Sequence, residues 1–223
     1  MKPGILAVDI GGKNLKIRHS DHEERRKAPT GPDFSAQDAV TTIRELAHDW
    51  SWDRLTIGCP GPISNNRLLL EPHNLGGGWK DMDFASAFDC EVRLINDAVM
   101  QAIASHAGGK MLFLGLGTGL GAALVVENIA MPLEVAHLPY RDKYTYEDCI
   151  GRRGLDRLGR TAWEEAVHDI TARLRKALVA DCVVIGGGAL KKLRHMPEHA
   201  TPGDNANAFE GGFRVWRDHY RLF

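Results

Sequence analysis

Apolar residues in this chain come in short runs that stop at glycines or carboxylates, and stretches of helical period separate the runs. Gly4–Ile10 joins Ile, Leu, Ala and Val ahead of Gly11-Gly12, which predicts a buried strand. Leu15–His19 sets Leu15 and Ile17 against Lys16 and Arg18, the alternation of a half-exposed strand. The two form a hairpin closed by Gly11-Gly12-Lys13-Asn14. Asp21–Lys27 is highly charged and reads as a solvated turn or an edge. Ser35–Trp50 reads as a helix, with Ser35 as its cap, Asp38 three residues on, and Val40, Ile43, Ala47 and Trp50 on one stripe. Leu55–Gly58 is a short strand running into the rigid loop Cys59-Pro60-Gly61-Pro62. A short helix over Asp83–Phe88, a strand over Glu91–Ile95 and a helix over Ala98–His106 follow.

At Gly108-Gly109 the pattern restarts, which predicts one lobe over 1–107 and a second over 108–223. Met111–Leu114 is a buried strand, a Gly-rich turn follows, and Ala122–Val126 returns, repeating the plan of the N-terminus. Thr161–Ala180 is the clearest helix. Thr161 and Glu164 have the spacing of a capping box, and Trp163, Val167, Ile170, Leu174, Ala177 and Leu178 mark one face. Cys182–Ile185 reads as a strand. Ala208–Tyr220 reads as a terminal helix, expected to pack back on the first lobe.

The composition narrows the class. The chain has 223 residues, 43% hydrophobic and 26% charged, which suits a soluble globular protein with a sizeable core. A net charge of −1 gives no overall pull toward nucleic acid or anionic membrane. No apolar run approaches the ~18 residues of a membrane span, and Ile5–Ile10, interrupted by Asp9, is too short for a signal peptide. Cys59, Cys90, Cys149 and Cys182 are scattered without CxxC spacing, which argues for reduced thiols in a cytoplasmic setting and against a Cys-rich zinc site.

Four segments carry candidate chemistry, each at the C-terminal end of an apolar run, where α/β proteins hold phosphates and reacting groups. In Asp9-Ile10-Gly11-Gly12, glycines would let backbone N–H groups approach a phosphate, and Asp9 could hold Mg²⁺ through water; a plain hairpin turn is the simpler alternative. In Asn96-Asp97, the Asp could take the proton of an attacking hydroxyl and the Asn orient it, although both are also favoured helix caps. A helix N-terminus there would hold Asp97 ionised. Gly115–Gly121 places glycine at alternate positions around Thr118, more than a tight turn requires, and favours phosphate binding by Gly117, Thr118 and Gly119. Gly186-Gly187-Gly188 could admit an adenine or ribose, or serve only as a flexible turn. Glu134, His137 and Glu147 suit a polyhydroxylated ligand, though each alone reads as a solvated polar residue.

These segments, in this order, resemble the ROK family of sugar kinases and repressors, over about Ile5 to Phe213. Asp9–Gly12 is similar to the family's first phosphate loop, altered by Lys13, and Gly115–Gly121 to its second. Gly58-Cys59-Pro60-Gly61-Pro62 resembles its GxPGP loop, and Asn74-Leu75 with Trp79 its sugar-side NL…W segment. Asn96-Asp97 resembles the catalytic pair, Glu134-x-x-His137 the ExGH sugar motif with Ala136 in place of Gly, and Gly186–Gly188 the adenosine-side loop. Glu147 falls where the family has a further sugar-binding Glu. The family's Cys-rich zinc motif is absent after His137. That absence, the small size and Trp163 resemble the polyphosphate glucokinase branch.

The resemblance implies an α/β, two-lobed actin-like, hexokinase-type (ribonuclease H-like) ATPase fold with a central cleft. It implies phosphoryl transfer from ATP or polyphosphate to the 6-hydroxyl of a hexose, with Asp97 as base. Asn74, Asn96, Glu134, His137 and Glu147 would be on the sugar, and Lys13, Asn14 and the glycine loops near the donor. Mg²⁺ is the implied cofactor, with no zinc, and a cytoplasmic homodimer the implied assembly. Two basic clusters, Arg152/Arg153/Arg157/Arg160 and Lys191/Lys192/Arg194/His195, are either solvated helix faces or a track for a long polyanion. The alternatives are a non-catalytic sugar-binding regulator and a kinase for mannose, fructose or an N-acetylated amino sugar. Against the regulator stands the first loop at residue 9, which leaves no room for a preceding helix-turn-helix.

Overall fold

The computed structural model describes residues 4–204 and 208–222. The first sheet is built from β1 (Ile5–Ile10), β2 (Asn14–His19), β3 (Arg25–Pro29), β4 (Arg54–Cys59) and, after a small hairpin of β5 (Ile63–Ser64) and β6 (Arg67–Leu68), β7 (Glu91–Asn96). Its order is β3-β2-β1-β4-β7, antiparallel from β3 to β1 and parallel from β1 to β7. The second sheet is built from β8 (Lys110–Leu116), β9 (Leu120–Val126), β10 (Ile129–Pro132), β13 (Cys182–Gly186), β14 (Ala200–Pro202) and β15 (Arg221–Leu222). A hairpin of β11 (Pro139–Arg141) and β12 (Tyr144–Thr145) lies between β10 and β13 in the chain. Its order is β14-β13-β8-β9-β10-β15. Counted from β10 to β14, this repeats the first sheet strand for strand, including the switch from antiparallel to parallel.

Helices fill the remaining layers: α1 (Ala36–Leu46), α2 (Phe84–Phe88), α3 (Asp97–Ser105), α4 (Tyr146–Ile150), α5 (Arg152–Leu178) and α6 (Ala208–Arg217). β1 is buried on both faces, and its side chains alternate between two cores. Leu6, Val8 and Ile10 meet Ala36, Ala39, Val40 and Ile43 of α1. Ile5 and Ala7 meet α3 and α6 in a second core, shared with Met111 and Phe113 of β8. β8 does the same, turning Leu112, Leu114 and Leu116 toward Trp163, Val167, Ile170 and Leu174 of α5. Helices α3 and α6 therefore lie between the sheets, and α1 and α5 lie outside. The fully buried Trp79, Trp163, Phe113 and Phe213 each stabilise the fold by roughly 1.5–3 kcal/mol.

Helix α6 crosses α3 at a pair of glycines. A Cβ on Gly211 would strike the Met100 carbonyl, and one on Gly212 would stand 2.8 Å from the Ala7 methyl. Thr56 Oγ1 donates to the Gly212 carbonyl at 2.8 Å and accepts the Trp216 indole N–H at 2.8 Å. Arg214 closes the far end of α3. Its Nη1 donates to the carbonyls of Ile103 at 2.6 Å and His106 at 2.9 Å, while its Nε meets Asp218 at 2.7 Å. Just beyond, Gly108 and Gly109 have φ of 120° and 70°, a left-handed turn into β8 that only glycine takes without strain.

The edge reading of the charged stretch after β2 holds: Arg25–Pro29 forms the edge strand β3, paired with β2 along its length. Other expectations need correction. Helix α1 has the expected Ser35–Asp38 capping box but ends at Leu46, and Trp50 is buried from the following loop. The clearest predicted helix, Thr161–Ala180, is the second part of a longer element, Arg152–Leu178, broken at Gly159 (φ 75°). Thr161 and Glu164 do not form a capping box. The Glu164 carboxylate instead accepts the backbone N–H groups of Arg194 and His195, both at 2.8 Å. The terminal helix stops at Arg217, short of Tyr220, whose hydroxyl binds His106 Nδ1 at 2.9 Å.

Candidate active site

A cleft of about 380 Å³ opens between the two sheets, lined by loops at the C-terminal ends of β1, β4, β7, β8 and β13. It brings together Gly11, Gly12, Asn74, Asn96, Asp97, Gly117, Thr118, Gly119, Glu134, His137, Glu147 and Gly187. These residues run from position 11 to position 187 and share a site because both sheets present their strand ends to one gap. Asp9, Lys13, Asn14, Gly186 and Gly188 do not line it. Asp9 forms an ion pair with Lys16 at 3.0 Å, and Gly186 is buried inside β13, opposite Gly115.

Asp97 is the first residue of α3. Asn96 is the cap, its Oδ1 accepting the N–H groups of Ala98 at 2.9 Å and Val99 at 3.3 Å. The Asn96 Nδ2 donates to the Gly61 carbonyl at 3.0 Å, tying the Pro60-Gly61 loop to the start of the helix. Asn96 is thus held mostly by protein, and its clearest contribution is to position Asp97. The Asp97 carboxylate accepts the Ala98 N–H at 2.9 Å. A helix start favours the ionised form, yet burial, followed by the charge of Asp9, pushes the Asp97 carboxyl up to about 6. Desolvation and like charge thus outweigh the local dipole in setting its acidity. Near pH 7 it is still mainly ionised, and its basicity is better matched to proton transfer.

Glu147, in the first turn of α4, joins three parts of the site. Its Oε2 accepts the Leu120 N–H at 3.1 Å, its backbone N–H donates to the Ala136 carbonyl at 2.9 Å, and its carbonyl accepts the Gly151 N–H at 2.8 Å. The hairpin glycines permit this closeness. A Cβ on Gly119 would overlap the Glu147 carboxylate, and one on Gly121 would stand 3.0 Å from the Ala98 methyl. Glu134 and His137 stand exposed on the loop between β10 and β11 and face the same gap. On the opposite wall, Asn74 packs on Gly12, and the Glu71 carboxylate holds its loop by accepting the N–H groups of Trp79 at 3.0 Å and Lys80 at 3.2 Å.

Gln101 is a lining residue that the sequence reading missed. It lies on α3 one turn after Asp97, so the i, i+4 spacing from Asp97 was the available signal. The basic segments do meet, through Arg160 Nε donating to the Lys192 carbonyl at 2.7 Å. Within the first cluster, Arg152 pairs with Asp156 at 3.2 Å, and Arg157 donates to the Asp148 carbonyl at 2.8 Å and lies over the Tyr144 ring.

Among the described residues, no group of three or more His, Cys, Asp or Glu side chains is arranged to hold a metal ion. Magnesium bound with a phosphate donor needs fewer protein ligands, because it keeps several waters. Asp9 suits that role. One of its oxygens pairs with Lys16 at 3.0 Å, and it stands at the end of β1 next to the cleft-lining Gly11 and Gly12.

A sequence model of the ROK family matches residues 5–132, over half of the chain. No protein of curated function matches it in sequence. Solved structures match it closely in shape. An inorganic polyphosphate/ATP-glucomannokinase from Arthrobacter sp. strain KM superposes with a TM-score of 0.76 at 19% identity, covering 98% of this chain and 100% of that one. A ROK family glucokinase from Streptomyces griseus, in complex with glucose and AMPPNP, gives 0.70 at 15% identity, covering 96% and 99%. A ROK hexokinase from Thermus thermophilus gives 0.67 at 18%, covering 98% and 91%. At such identities the likeness is one of fold, and the fold is the two-lobed, actin-like, hexokinase-type α/β architecture with a central cleft.

Proposed function

Because the chain belongs to the ROK family, we propose that it is a sugar kinase that transfers a phosphoryl group from ATP or polyphosphate to the 6-hydroxyl of a hexose, glucose first among them. The observation that carries this reading is Asp97. It is a half-buried carboxylate with its acidity weakened to about 6, at a helix start in the cleft, between two glycine hairpins and a ring of polar side chains. Asp97 would take the proton of the attacking hydroxyl as the bond to the terminal phosphate forms. Asn74, Glu134, His137 and Glu147 would hold the other hydroxyls. Backbone N–H groups around Gly11-Gly12 and Gly117–Gly119 would meet phosphate oxygens, and Gly187 would allow the close approach of the rest of the donor. Magnesium, held through Asp9, would neutralise donor charge. The protein's own contribution is then positioning and electrostatics, which is most of what phosphoryl transfer requires.

The fold likeness to a polyphosphate/ATP-glucomannokinase and to a glucokinase supports a hexose acceptor and leaves both donors in play. A cytoplasmic homodimer is the assembly we propose with it. The test is a coupled assay over glucose, mannose, fructose and N-acetylated amino sugars, with ATP and polyphosphate in turn. Phosphorylation of a hexose at its 6-position is the expected result. Tight sugar binding with no turnover on any donor would instead favour a sugar-binding regulator.

A further inference from the structure

The antiparallel pairing of β2 with β3 sets Lys16 directly opposite Lys27 and Arg18 directly opposite Arg25. Directly opposed residues of an antiparallel pair share a face, and like charges so placed weaken the ladder. Four cations therefore lie as two repelling pairs on one side of an edge ribbon. The other side shows the ordinary solution: Arg26 is matched there by both Glu24 and Asp49. On the cationic side compensation is thin. Lys16 has Asp9, Arg18 has the almost fully exposed Glu23 at 3.4 Å, and Arg25 and Lys27 have no ion pair among the described residues.

This stripe is continuous with the cleft. Lys16 lies opposite Asp9 across the β1–β2 ladder, the carboxylate whose charge reaches Asp97, and the hairpin tip carries Gly11, Gly12 and the exposed Lys13. From there it runs along the ribbon toward α6, where Arg18 lies over the Phe213 ring and Arg25 over the Phe209 ring. Those two rings are buried, so no aromatic face on the stripe is open for a base to stack on. Binders of single-stranded nucleic acid combine basic grooves with exposed aromatic platforms. A chain of phosphates needs cations alone.

We propose that the face of the β2–β3 ribbon bearing Lys16, Arg18, Arg25 and Lys27 binds linear polyphosphate, the distal part of a long donor whose terminal group enters the cleft. This rests on the phosphoryl-transfer reading of the cleft. The decisive variant is Arg25→Glu/Lys27→Glu, which leaves the cleft residues untouched. Lys27→Glu sets a carboxylate opposite Lys16, so the melting temperature should hold or rise.

Binding of long-chain polyphosphate and of tripolyphosphate would be measured for both proteins over a salt series, alongside sugar phosphorylation with ATP. The variant should bind the long chain at least ~10-fold more weakly, with a salt slope shallower by about one or more. Its tripolyphosphate affinity and ATP turnover should match the wild type. Unchanged long-chain binding would overturn the proposal. So would an equal loss for tripolyphosphate, or single-stranded RNA of matched charge binding this face as tightly as polyphosphate. If the wild type turns over no sugar but the long-chain difference remains, the kinase reading fails and the polyphosphate surface stands. Robust ATP turnover with unchanged long-chain binding is the converse.

Discussion

Replacing Asp97 by asparagine should make the protein slower and, near neutral pH, more stable. In the folded chain the Asp97 carboxyl is pushed from its ordinary 3.8 up to about 6, chiefly by burial and then by Asp9. A shift of about two units corresponds to ~3 kcal/mol, since each unit is ~1.4 kcal/mol. The sign follows from the direction. A raised carboxyl binds its proton more tightly in the folded state, so its contribution favours folding below the ordinary pKa and is lost as pH rises through about 6. Asparagine has the shape of the neutral form and can still accept the Ala98 N–H. The stability gain should therefore be largest near pH 8, at roughly 1–3 kcal/mol, and vanish by about pH 4. For a chain of this length that is about 3–10 °C in melting temperature. Sugar phosphorylation should fall at least ~10²-fold in kcat, the scale of losing a general base. Calorimetry at the two pH values and a coupled turnover assay read both effects. A variant no more stable than wild type near pH 8, or a gain that persists undiminished in acid, would refute the argument from burial and like charge. Near-normal turnover would refute the role of base.

The same carboxyl predicts the pH profile: kcat/KM should be flat above about pH 7 and fall ~10-fold per unit below about 6, and a profile flat to pH 5 would separate Asp97 from the chemistry. Glu134→Ala should raise the sugar KM more than the donor KM, because Glu134 faces the cleft from the β10–β11 loop and belongs to neither glycine hairpin; an equal effect on the two would remove it from the sugar side. Arg214→Ala should cost about 2–4 kcal/mol by denaturant unfolding, since it strips the charged donor from the Ile103 and His106 carbonyls at the end of α3. A loss below ~0.5 kcal/mol would mean water replaces it.

What the sequence alone determined lies close together along the chain. The buried strands, the hairpins at Gly11–Asn14 and Gly117–Gly119, and the Ser35 cap follow from periodicity and from side chains reaching a backbone two or three residues away. Even the four-segment order behind the family resemblance is a property of the linear chain. What needed the tertiary structure depends on neighbours brought from afar. Glu164 looked like a cap for its own helix, but Arg194 and His195, some thirty residues on, supply donors that hold it instead. Glu147 reads as a lone polar residue until Leu120 and Ala136 fold against it. Lys16, Arg18, Arg25 and Lys27 look like ordinary solvated charges until the ladder register sets them face to face. The acidity of Asp97 shows the division most plainly: its helix start is written locally and favours the anion, but burial in the cleft and the charge of Asp9, 88 residues earlier, reverse the balance. A local pattern fixes which backbone groups a side chain can reach; desolvation and Coulomb energy depend on everything else that the fold packs around it.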